Sequence, residues 1–149
     1  MAAGTLMAAK SQKDQGDYAQ KVGENNARYA DASAADATRR GQIAENQSRN
    51  ESRALMARQR TAMAANGIDF TTGTGALLLE DSAAMGAMDV ETIRTNAMKQ
   101  AFGLESQAMT QRSDGAMAKT AGNNNMFATL LTGGSRAYAL KSGVKFKTD

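Results

Sequence analysis

The chain has no cysteine, proline, tryptophan or histidine, and only 5% of its 149 residues are aromatic. Without cysteine there is no disulfide and no thiolate chemistry, and the redox compartment stays open. Without histidine the commonest general base and metal ligand is missing. Four phenylalanines, three tyrosines and a negative mean hydropathy argue against a thick globular core. No apolar run approaches the ~18 residues of a spanning helix. No charged start leads into an apolar core and cleavage site, so no secretory signal is expected.

What is present favours long helices. Alanine, glutamine, arginine, glutamate and methionine are abundant, and no proline interrupts them. The expected fold is all-α: a long antiparallel helical hairpin with an extended helical N-terminal arm, elongated and forming a ring or tube with its neighbours. Two regions are expected, a hairpin domain over 1–122 and a Gly/Asn-rich apolar and basic tail over 123–149. Within the first, Gly115 is expected to thin or end the second helix, and Asn123, Asn124 and Asn125 after Gly122 read as a break.

The stretch 54–108 organises the rest. Its left arm is rich in helix formers and should stop at Asn66-Gly67, where glycine can take the left-handed conformation and Ile68 can fold back on Met63. Asp69, Thr72, Gly73, Thr74 and Gly75 complete the turn, with Thr72 or Thr74 as N-cap of a second helix starting near Ala76. Along that helix Leu79, Ala83, Gly86, Val90, Ile93, Ala97, Ala101, Leu104 and Ala108 recur at steps of three and four. So small a stripe predicts close helix contacts, and Gly86→Leu is expected to do more damage to assembly than Gly115→Leu. Leu78, Met85, Met98, Phe102 and Met109 lie off the stripe and form a second apolar edge.

Charge suggests the same fold-back. The formal net charge is +3, divided as +3 over 1–66, −3 over 67–122 and +3 over 123–149. Mirror pairing about Thr71 predicts Arg60 near Asp81, Arg53 near Asp89 and Arg49 near Glu91. Over 11–53 a diluted stripe links Tyr18, Val22, Tyr29, Ala32, Ile43 and Ala54, consistent with a helix packed along one thin seam or a segment that orders on assembly. Arg49, Arg53 and Arg60 share a helical side able to meet phosphates, but interleaved acids and the lack of an aromatic platform favour a solvated face. In the tail, Met126, Phe127, Leu130, Leu131, Tyr138 and Leu140 are candidate membrane or partner contacts beside Lys141, Lys145 and Lys147.

No catalytic constellation emerges, and the chain reads as a non-enzyme without cofactor or metal. Glu80-Asp81 and Asp89/Glu91 are local helix neighbours and do not face each other across a cleft. Thr72-Gly73-Thr74-Gly75 lacks the lysine, spacing and preceding strand of a phosphate loop.

One pattern in the hairpin carries a family resemblance. RTAMAANGID at 60–69, Thr72-Gly73-Thr74, LLEDSAA at 78–84, DVETIR at 89–94 and Asn96-Ala97 occur in that order over about a third of the chain. The pattern resembles internal virion (core, or ejection) proteins of short-tailed phages, the podoviruses, and in particular their small, outer-membrane-associated member. The resemblance implies a protein of the virion interior, the capsid core near the portal, that leaves with the DNA. It would reassemble in the host cell envelope as part of a conduit. Implied partners are further copies of itself, other internal virion or portal proteins and the host outer membrane, with non-specific contact to DNA. The chain is short for that family. Two other classes compete: a head-tail adaptor or portal-associated protein that stays on the particle, and a DNA-binding or scaffolding accessory.

Overall fold

The computed structural model describes residues 2–142, with side chains over 3–135 and at Tyr138. It is all-helical, with two long helices packed as a hairpin: α1 over Ala2–Ala65 and α2 over Gly73–Ser142. The chain divides into two units, one formed by Asp31–Glu105 and containing the turn, the other by Met1–Ala30 with Ser106–Asp149.

Neither expected interruption of α2 occurs. The helix runs through Gly115 and through Asn123, Asn124 and Asn125, so no structural break separates a tail at 123. Glycine inside a helix costs ~1 kcal/mol relative to alanine, and asparagine less. Neither blocks the backbone as proline would, and at Gly115 packing against α1 offsets the cost. Likewise 2–53 is helical throughout.

In the unit of the chain ends, the helices meet along very small residues. Ala27, Ala30 and Ala108 form a buried cluster, with Ala27 and Ala108 fully covered. Gly16 faces Gly122 and Gly23 faces Gly115, so a step of seven along α1 is matched by a step of seven back along α2. A Cβ added at Gly16 would lie 3.1 Å from Ala118 O and 3.2 Å from Gly122 Cα. One added at Gly122 would lie 2.7 Å from Gln12 O. These backbones approach too closely for side chains between them, which is why glycine tolerates its helix cost here.

In the turn-containing unit the seam is less tight. Ala34, Ala37 and Met63 of α1 are buried, as are Leu79, Gly86, Val90 and Ala101 of α2. Gly86 faces the Ser52 side chain, and Gly41 faces the methyl of Ala97.

By contrast, Gly103 has no neighbour within 4 Å of its Cβ direction. Gly103→Ala is therefore expected to stabilise the fold by about 0.5–1 kcal/mol, read from thermal unfolding.

As far as Ile43 the large side chains of α1 do not lie on its buried face; Met63, beside the turn, does. Tyr18, Val22, Tyr29, Ala32, Ile43 and Ala54 are all exposed, while Ala9, Gly16, Gly23, Ala27, Ala30, Ala34 and Ala37 are covered. The diluted stripe expected from hydropathy is thus the outer surface. Close approach selects for size, and the residues that α1 buries over 9–37 are alanine and glycine.

Candidate assembly surface

The turn is built as its residues require. Gly67 has φ +68°, in the left-handed region that glycine enters without strain. The Ile68 N–H donates to Met63 O at 2.9 Å and the Gly67 N–H to Ala64 O at 3.1 Å, the paired bonds of a Schellman end. Asn66 adds a side-chain bond to Ala62 O at 2.7 Å. Together they satisfy carbonyls that the end of α1 would leave open.

Asp69 then orders the chain leading into α2. Its carboxylate accepts from the Thr71 hydroxyl at 2.6 Å, the Thr71 N–H at 2.8 Å and the Thr72 hydroxyl at 2.8 Å. Thr72 stands immediately before α2, and Thr74 lies within it; the Thr72 hydroxyl is spent on Asp69. The helix begins at Gly73, earlier than expected. Gly75 is buried because the backbone of Asp69 and Phe70 folds over it.

The Thr71 hydroxyl above all, with the Thr71 N–H and the Thr72 hydroxyl, holds the Asp69 carboxyl below its ordinary value of 3.8. A depressed carboxyl contributes stability that is complete above its unfolded pKa and fades as pH falls through its folded one. Acid should therefore loosen this turn below about pH 3.8. Asp69→Asn should flatten that part of the stability–pH curve, measured by denaturant unfolding across the acid range.

The residues of the predicted stripe divide by burial. Leu79, Gly86, Val90 and Ala101 are buried and Ile93, Ala97 and Leu104 half-buried, but Ala83 is exposed. Ser82 takes the inward place, and Gln59 Nε2 donates to its hydroxyl at 2.9 Å. The Oε1 of Gln59 is buried without a hydrogen-bond partner. Sequence reasoning missed Gly115 and Gly122 as seam positions. The available signal was that they continue the seven-residue step from Ala101 to Ala108. The seam is also occupied by the chain's own α1, so it is not free to contact a neighbouring subunit.

None of the expected cross-turn ion pairs forms among the described residues. Arg49 instead binds Glu45, one helical turn back on α1, at 2.6 Å. The other ion pairs seen are also local, Asp36 with Arg39 at 2.7 Å and with Arg40 at 3.0 Å. Bonding from Arg39, aided by the charges of both arginines, lowers the Asp36 pKa despite a smaller opposing effect of desolvation. Helix rotation explains the failure: Arg53, Arg60, Asp81, Asp89 and Glu91 are exposed, turned away from the helix contact. An arginine face for phosphate is correspondingly thinner, since Arg49 is engaged.

What remains open is the outer side of each helix. Leu78, Met85, Met88, Met98 and Phe102 are exposed in the turn-containing unit. In the other, Met109, Met117, Phe127, Leu130, Leu131 and Tyr138 are exposed and Met126 half-buried. The side chains of Leu140 and Lys141, and all of Lys145 and Lys147, lie outside the described residues. No helix, among the described residues, is long and apolar enough to cross a membrane.

Comparison with protein-family models, curated proteins and solved structures gives no match. The surface itself defines the chemistry on offer: exposed apolar side chains on a paired-helix frame, and among the described residues no cluster of three acids, histidines or cysteines able to hold a metal.

Proposed function

We propose that this chain is a phage internal virion protein. It oligomerises in the capsid core, is ejected with the DNA and contributes to an envelope-crossing conduit at the host outer membrane. The ordered pattern over 60–97 carries the proposal. The thin Ala/Gly seam and the many outward-facing large apolar residues support it, because such a chain gains most of its apolar burial from neighbours. The absence of disulfides is compatible with passage through a narrow channel in a partly unfolded state. In this reading copies of the chain join through their outer faces, together with other internal virion or portal proteins. Phe127, Leu130, Leu131 and Tyr138 would be available to the outer membrane.

Quantitative mass spectrometry of DNA-filled particles and of the same particles after triggered DNA release tests it. Presence before release and loss afterwards is expected, with recovery in host envelope fractions. Retention at equal copy number would assign the chain to the head-tail or portal structure instead. Absence from both would remove it from the mature virion.

A further inference from the structure

The outer face of α2 in the turn-containing unit carries a second stripe. From Leu78 to Phe102 its positions advance by alternating steps of three and four, the spacing of a coiled-coil seam. The first seam of α2, through Leu79, Gly86, Val90 and Ala101, is already covered by α1. This second one faces away from it.

Its order is self-complementary when read against itself in reverse. Leu78 at one end answers Phe102 at the other, and Asp81 answers Lys99. Nearer the middle Met85 answers Thr95, and Met88 answers Thr92. Leu78 is 48% exposed, Met85 68%, Met88 70% and Phe102 73%, so four of the eight stripe positions present large apolar side chains that nothing among the described residues covers. Asp81 and Lys99 are exposed and make no ion pair among the described residues. The two threonines can also be covered without stranding a donor. Thr92 already bonds Met88 O at 2.9 Å, and Thr95 bonds Glu91 Oε1 at 3.4 Å.

We infer that this stripe is a docking surface for a second copy of the chain, which packs its own α2 against it antiparallel about a two-fold axis at the level of Val90. Each Asp81 then meets the other copy's Lys99, so the contact contains two ion pairs, and a parallel arrangement would set like charges together. The paired length is ~36 Å of helix. Such an isologous contact closes on itself and yields a dimer. Asp89 and Glu91 flank the centre and meet their own counterparts at the rim. Those carboxylates are exposed and screened over ~8 Å at physiological salt. The apolar layers and the Asp81–Lys99 pairs outweigh them. This contact goes beyond the virion reading and does not depend on it; particle composition can fail its test while the dimer stands.

The chain has no cysteine, which makes a cross-linking test clean. Full-length Asp81→Cys and Lys99→Cys chains are mixed and oxidised. The mixture is expected to give a disulfide-linked dimer, while each variant alone gives little. Self-cross-linking of Asp81→Cys as efficient as the mixture would overturn the antiparallel arrangement. Sedimentation velocity supplies the second arm. Asp81→Lys or Lys99→Asp alone should weaken the dimer about tenfold or more, and the two together should restore it to within about threefold. A combined variant as weak as the singles, or a wild-type chain monomeric up to ~1 mM, where even weak contacts register, would sink the proposal.

Discussion

Gly115→Leu is expected to destabilise the pairing of α1 and α2 by about 3 kcal/mol, more than Gly86→Leu. This reverses the order expected from the stripe alone. At Gly115 an added Cβ lies 3.1 Å from Gln20 Cα and 3.2 Å from Gln20 O, with Ala19 O at 3.5 Å. All of these are backbone atoms and can yield only if the helices separate. At Gly86 both obstructing atoms belong to one side chain, that of Ser52: its hydroxyl can rotate away, and its Cβ, at 2.9 Å, yields with a shift of α1 at that single residue. The ~1 kcal/mol that leucine gains over glycine in helix propensity is common to both sites and does not change the order. Urea unfolding followed by helical circular dichroism measures the difference, and Gly103→Leu, at a position with open space, controls for propensity.

Gly75→Val should cost about 2–3 kcal/mol, by displacing the turn from the start of α2. The Cβ would strike Asp69 O and would lie 3.1 Å from Phe70 Cα. Relief requires moving the backbone that presents Asp69 to Thr71 and Thr72. The specific readout is hydrogen exchange at the Thr71 amide, which bonds the Asp69 carboxylate in the wild type. Its protection should fall even at temperatures where the helices persist. Unchanged protection would mean that the turn has another way to accommodate a side chain.

These two sites differ in how far the sequence revealed them. The end of α1 was readable because Asn66-Gly67-Ile68 has one economical conformation, and the structure adopts it. The helix pair was readable from composition and from the absence of proline. The buried face of α1 was not, because a stripe traced through the largest side chains picks out Tyr18, Tyr29 and Ile43 before Ala27 and Gly23, whereas the packing reverses that order. Gly115 and Asn123 looked like helix breakers for a related reason. Intrinsic propensity counts against them, and only the partner helix supplies the compensating contact. The cross-turn charges failed on rotation: pairing by distance from the turn says which turns of helix are level, not which sides face each other. The self-complementary stripe from Leu78 to Phe102 became distinct once the face covered by α1 was known.

The close pairing of Thr5 with Gly133 and of Gln12 with Thr129 and Gly122 has a mechanical consequence. In this unit the two strands of the pair run in opposite directions, so tension drawing residues 2 and 142 apart bears on one contact at a time. Thr5–Gly133 would part first and the Gln12–Thr129 hydrogen bond next, followed by the Gly16–Gly122 contact. Each step exposes mostly glycine, alanine or short polar groups, so each presents only a small barrier. The same contacts loaded in shear would have to yield together. A pulling experiment between the two ends should accordingly record a low, nearly flat force plateau as this unit opens, and rapid re-zipping when the tension is released.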